Sequence, residues 1–173
     1  MATASRPDDA ILREFNTKPG SGDSPAMRAF KLGLEALRNN IPATALVHFR
    51  EACALEPQNP YFLSYAGLAL ARTEQDYDEA ERYCIAALQM KRSQAQLYLN
   101  LTEVYMKQGK RADAVDTLQE GLVNTHGDEK LSRAFTRLGV RRAPVLRFVE
   151  RSHPLNVALG RLRHRTMRVF TAR

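Results

Sequence analysis

The chain has no tryptophan, only two cysteines, and no apolar run near the roughly 18 residues needed to span a bilayer. The two cysteines, Cys53 and Cys84, allow at most one disulfide, between themselves. Both fall inside predicted helices, so the expectation is a pair of reduced, buried thiols in a cytoplasmic protein. Met1 to Arg6 are not followed by an apolar stretch, and no secretory signal is expected. Reactive constellations are missing as well. His48, His126, His153 and His164 are scattered, without cysteine or carboxylate at metal-ligand spacing. Asp76, Asp78, Glu79 and Glu81 cluster, but Tyr77 and Ala80 interrupt any calcium-loop spacing, and a solvated helix start explains them. Neither cysteine has a predicted base beside it. These absences argue against an enzyme and predict no metal and no cofactor.

What remains is an ordinary globular composition, 44% apolar and 26% charged, with an uneven distribution of charge. Residues 1–140 hold 17 Lys or Arg against 18 Asp or Glu, a net of −1. Residues 141–173 hold nine Arg and a single acid, Glu150, a net of +8. The overall charge of +7 therefore belongs to the tail, and only the tail needs an electrostatic explanation.

Three segments repeat one spacing: Ala45-x3-Phe49-x2-Ala52-x4-Pro57, Ala80-x3-Cys84-x2-Ala87-x4-Arg92 and Ala114-x3-Leu118-x2-Gly121-x4-His126. The second and third are 34 residues apart, a period that signals stacked units. Helical pairs are predicted at 25–38 with 43–55, 60–72 with 77–91, and 94–107 with 111–124. Ser24 before Pro25, Asn59 before Pro60, and Ser93 are the candidate caps. Asn39-Asn40, Gln75-Asp76 and Gln108-Gly109 supply the turns. Gly33 and Gly67 are 34 apart but Ala45 and Ala80 are 35 apart, so one extra residue falls between Gly67 and Ala80, most naturally near Thr73 to Tyr77. Asp128 begins a further helix whose Leu131, Ala134, Phe135 and Leu138 can cap the third hairpin, with Gly139 ending it.

Leu32-Gly33 with Ala45, Phe49, Ala52 and Pro57 resembles the signature of the tetratricopeptide repeat family, and the likeness runs from about residue 26 to 128. It departs where Ala29 and Leu63 replace an aromatic, Thr102 a glycine, and Arg92 and His126 a proline. The resemblance implies an all-α fold: a right-handed superhelical solenoid of three helix-turn-helix hairpins, with a capping helix and a C-terminal amphipathic helix. It also implies that the first helix of each hairpin lines a concave groove. Carried over, the groove stripe is Met27, Phe30, Leu34 and Leu37, then Tyr61, Ser64, Leu68 and Ala71, then Gln96, Leu99, Glu103 and Met106. Arg38, Arg72 and Lys107 stand beside it. Family members that grip a C-terminal carboxylate do so with Lys, Asn and Arg. The matching places here hold Phe30, Leu34, Tyr65, Gln96 and Asn100, so only Asn100 fits and no carboxylate clamp is expected.

Three segments are thus expected: a linker-like stretch at 1–24, a repeat domain with its cap at 25–139, and an Arg-rich extension at 140–173. Within the first, Asp8 to Phe15 carries an apolar edge of Ile11, Leu12 and Phe15, too short to stand alone as a helix. It is one candidate cover for the groove, a second copy of the chain is another, and an apolar segment of a partner protein is the third. In the extension, Leu155, Ala158, Leu159, Leu162, Val169 and Phe170 share one helical face, with Arg161, Arg163, Arg165 and Arg168 opposite or flanking. That helix is expected to pack on the repeats, to lie on an anionic membrane surface, or to bind nucleic acid or an acidic protein. The extension also resembles that of some bacterial proteins of the same repeat family. The functional expectation is a non-catalytic adaptor or chaperone-like scaffold that binds a partner in the groove. The alternative is a basic-tailed module targeting a membrane or nucleic acid.

Overall fold

The structure, a computed structural model, describes residues 22–73 and 76–138. Among these residues there are seven helices and no strand: α1 Pro25–Arg38, α2 Pro42–Leu55, α3 Pro60–Thr73, α4 Tyr77–Met90, α5 Ala95–Lys107, α6 Arg111–Asn124 and α7 Glu129–Arg137. Local chemistry accounts for most starts. Ser24 Oγ accepts from Met27 N at 3.1 Å, with Pro25 in the first turn. Asn59 Oδ1 accepts from Tyr61 N at 3.1 Å ahead of α3, Asp76 Oδ1 from Glu79 N at 3.0 Å ahead of α4, and Asp128 Oδ1 from Lys130 N at 2.8 Å ahead of α7. The turns predicted at Asn39-Asn40 and Gln108-Gly109 form, with Asn40 at φ 60° and Gly109 at φ 77°.

Two details differ from expectation. Ser93 does not cap α5: the helix begins at Ala95, Gln94 stands at the cap without a side-chain bond, and Ser93 lies one residue outside. The extra residue of the second repeat does not enlarge a turn. It is helical, at Thr73, whose Oγ1 bonds back to Ala69 O at 2.8 Å.

The helices stack as hairpins. Each of α1, α3 and α5 packs on the helix that follows it, α2 and α4 pack on the next hairpin's first helix, and α3 also packs on α5. Close crossing needs small residues. A Cβ on Gly33 would lie 2.5 Å from the Phe49 ring, and one on Gly67 would lie 2.7 Å from Ala80 O. Behind these crossings sits an aromatic cluster that joins the first two hairpins. Phe30 lies 4.8 Å from Phe62, 5.4 Å from Tyr65 and 5.5 Å from Phe49 by ring centroids. A second cluster is formed by Tyr98, Leu118 and Leu131, with Ala134, Phe135 and Leu138 packed against it, so α7 covers the third hairpin as a cap should. Gly139, Arg161, Arg163, Arg165 and Arg168, and the whole expected amphipathic helix, lie outside the described residues.

Candidate functional site

The first helices α1, α3 and α5 share a layer, and the expected stripe lies along it. Its exposure is uneven. Phe30, Leu34, Leu37, Ser64 and Leu68 are buried, none more than 4% exposed. Met27, Tyr61, Leu99 and Glu103 are half-buried, and Met106 is exposed. The most accessible part is at Met106 on α5, while Phe30, Leu34, Leu37, Ser64 and Leu68 on α1 and α3 are closed. Phe30 and Leu68 belong to the core cluster. Truncating them removes core packing at about 2–5 kcal/mol each, so such variants report on folding before they report on binding.

Between α3 and α5 the layer holds a buried polar ladder. Gln96 Nε2 donates to Asn100 Oδ1 at 2.7 Å, and Asn100 Nδ2 donates to Ser64 Oγ at 3.0 Å. The ladder ends on Gln96 Oε1, a buried acceptor with no hydrogen-bond donor. One turn along, Arg72 donates Nε and Nη2 to the two carboxylate oxygens of Glu103 at 2.7 and 2.9 Å. Arg72 was expected only as a charge beside the stripe. The pair joins two repeats, so the sequence of one repeat alone does not display it. Lys31, not singled out in the sequence, is 5% exposed, and its Nζ meets Asp23 Oδ2 at 2.7 Å.

Tyr61 sits toward the edge. It lines a hollow of about 550 Å³ with Glu56, Asn59 and Lys91 at the α2–α3 turn, and its hydroxyl donates to Gln94 Oε1 at 2.6 Å. Behind the layer, burial opposes the Glu81 charge, but hydrogen bonds from Lys110 and Tyr105 outweigh it and hold that carboxyl below its usual range. Burial pushes the Cys84 thiol up to about 12 and the Cys53 thiol to about 11. Both cysteines are free; Cys84 is buried and Cys53 half-buried. No group of three His, Cys, Asp or Glu among the described residues is arranged to hold a metal. No described helix is long and apolar enough to cross a membrane.

A row of helical hairpins with one layer turned to a shared face defines a repeat solenoid of the kind that presents a binding surface. The hairpins have the tetratricopeptide repeat fold, and residues 71–138 match the tetratricopeptide repeat family model. Its fold is similar to that of the Sgt2 TPR domain from Aspergillus fumigatus, at 16% identity and a TM-score of 0.59 over 79% of this chain and 97% of that one. It is also similar to the TPR2B domain of yeast Sti1 in its pHsp70 complex, at 18% identity and 0.57 over 68% and 98%. The second TPR domain of human RPAP3, in complex with the HSP70 peptide SGPTIEEVD, is similar at 16% and 0.55 over 67% and 96%. At these identities the likeness is one of fold. No curated protein matches the chain.

Proposed function

We propose that the chain is a non-catalytic protein–protein interaction module that holds a segment of a partner against the inner face, with its entry at α5. The observation that carries this is the accessible strip on α5, where Met106 is exposed and Leu99 and Glu103 are half-buried beside the Gln96–Asn100–Ser64 ladder. Leu99 and Met106 supply apolar contact to such a segment. The folds it resembles include domains solved with Hsp70 peptides. Here the places of a carboxylate clamp hold Phe30, Leu34, Tyr65, Gln96 and Asn100. That set favours an apolar or amphipathic segment over an acidic C-terminus.

A photo-crosslinking side chain placed at Met106 tests the reading, with Val47 on α2, 64% exposed, as the control. Discrete crosslinked partners at Met106 and none in common with Val47 support it. Equal labelling from both positions overturns it.

A second reading rests on the partition of charge, with nine Arg against one acid in residues 141–173. That tail is proposed to bring the module to an anionic membrane surface or to nucleic acid. Deletion after Gly139, followed by vesicle sedimentation and a salt-titrated nucleic-acid shift, tests it. Binding unchanged by the deletion rules it out.

A further inference from the structure

We infer that α7 does more than cap the third hairpin: it continues the inner face beyond α5 and gives it a basic flank, which takes a partner helix that carries carboxylates beside its apolar stripe. The inference rests on the reading above that a partner segment lies against α5, and it adds the chemistry of that segment.

α7 packs as a first helix does. It meets both α5 and α6, the same two-sided packing that α5 makes with α3 and α4. It begins at Glu129, 34 residues after α5 begins at Ala95. Leu131 likewise stands 34 residues after Leu97, and both are fully buried. The inner-face places carry over by the same step. Lys130, Arg133 and Arg137 therefore hold on α7 the places that Gln96, Leu99 and Glu103 hold on α5. Spacings of three and four residues put these cations on one helical face, and all three are exposed. The apolar residues Leu131, Ala134, Phe135 and Leu138 form a different face, the one turned to the third hairpin.

Capping needs only that apolar face. It does not call for cations at the inner-face places, and the expected stripe on α1, α3 and α5 contains none. Lys107, exposed at the end of α5, adds a fourth cation beside Met106. Glu103, the acid on the α5 strip, is already held by Arg72. Glu129 pairs with Arg133 along α7, but both side chains are largely exposed, so that pair holds Arg133 only weakly. The accessible end of the inner face is thus apolar on α5 and basic on α7.

A helix fits this arrangement. Packed helices lie about 8–10 Å apart, and a helix with its side chains is about 10–12 Å across. A partner helix resting on Leu99 and Met106, two turns apart on α5, therefore overlies the edge of α7. Its apolar stripe meets Leu99 and Met106, and carboxylates on the adjoining flank meet Lys130, Arg133 and Arg137. Such charges set orientation and partner choice more than affinity. Both features are needed together, and a short acidic C-terminus lacks the apolar helical stripe. Among the described residues no aromatic ring is exposed to stack a base, so the strip suits an acidic amphipathic peptide better than a nucleic acid.

Fluorescence anisotropy on the full chain provides the test. The probe is a labelled helical peptide of roughly four turns, with Leu along one face and Glu on the adjoining flank. Two counterparts carry Gln or Lys in place of Glu. The Glu peptide should bind about tenfold more tightly than the Gln peptide in low salt, and the difference should shrink in high salt. In the chain carrying Lys130→Glu with Arg137→Glu, which leaves the Arg133–Glu129 pair intact, the Lys peptide should bind best. No binding of any peptide, or equal binding of the Glu and Gln peptides, overturns the inference. A Glu preference that survives the charge reversal belongs to the arginines of residues 141–173 and also overturns it. So does a single-stranded oligonucleotide that binds more tightly than the Glu peptide and is lost on the same reversal, because α7 then serves nucleic acid. Met106→Asp separates the inference from the reading beneath it. Weaker binding of every peptide to that variant, without a charge preference in the unmodified chain, keeps the α5 entry and overturns the α7 flank. A preference that follows the charge of α7 but ignores Met106→Asp keeps the flank and overturns the α5 entry.

Discussion

The guanidinium of Arg72, near the end of α3, makes two hydrogen bonds to the carboxylate of Glu103 on α5, at 2.7 and 2.9 Å. The pair joins the second and third hairpins across the inner face, with the side chains 20% and 36% exposed. Fork-on-carboxylate geometry fixes the register of neighbouring helices better than a single contact does. Partial exposure keeps its net worth small. A double-mutant cycle of Arg72→Ala and Glu103→Ala should give a coupling of about 0.5–1 kcal/mol that shrinks in high salt. Denaturant midpoints of the four chains supply the number. A coupling indistinguishable from zero in low salt would show that the pair plays no part in hairpin stacking.

Gly67 tests the crossing of α3 and α4. Its missing Cβ would meet Ala80 O at 2.7 Å and Cys84 Sγ at 2.9 Å, and a carbonyl oxygen cannot swing aside. Gly67→Ala gains about 1 kcal/mol of helix propensity, but overpacking against backbone costs more, about 1–3 kcal/mol. A net loss of about 1–2 kcal/mol is expected by chemical denaturation. Gly22→Ala, where nothing lies within 4 Å, is the near-neutral comparison. A stabilised Gly67→Ala chain would mean that the helices cross less closely than the backbone indicates.

How far each feature could be read in advance depends on the range of its cause. Ser24 and Asp128 were legible because a cap acts over two or three residues. The hairpins were legible because the small residues at Gly33, Ala45, Gly67 and Ala80 recur with the period. Ser93 misled because it is as good a cap residue as Ser24, and only the packing of α5 decides that the helix starts at Ala95. The site was harder to read. A period assigns Phe30 and Met106 to equivalent faces, yet one is buried and the other exposed, since Phe30 packs against Phe49, Phe62 and Tyr65. The Ser64–Asn100–Gln96 ladder joins residues from two repeats, and no single repeat displays it.

The cysteines bear on alkaline stability. Folded, Cys84 titrates near 12 and Cys53 near 11, against 9.0 for an exposed thiol, because burial disfavours the thiolate. The folded pKa values lie above the unfolded one, so this contribution is complete below about pH 9 and is lost as pH rises toward 11 and 12. Tyr98 and Tyr105, also raised chiefly by burial, act in the same direction above their ordinary range. The denaturation midpoint should therefore fall steadily above pH 9. In parallel, a thiol reagent at pH 8 should leave Cys84 unmodified until denaturant is added. Prompt modification of Cys84 in the folded chain would contradict its burial.

The solved domains in complex with Hsp70 peptides offer a direct contrast. The HSP70 peptide SGPTIEEVD, seen with the second TPR domain of human RPAP3, carries three acidic residues in its last four. Among the residues of this chain's first helices, Phe30 and Leu34 are apolar and Gln96 and Asn100 are neutral. The nearby cation Arg72 is already engaged with Glu103, so moving it to a peptide carboxylate would leave a carboxylate behind. Calorimetry with SGPTIEEVD should detect no binding tighter than about 1 mM, a free energy near −4 kcal/mol. Micromolar binding would show that this inner face recognises acidic C-termini despite its neutral lining, and would overturn the preference for an apolar partner segment.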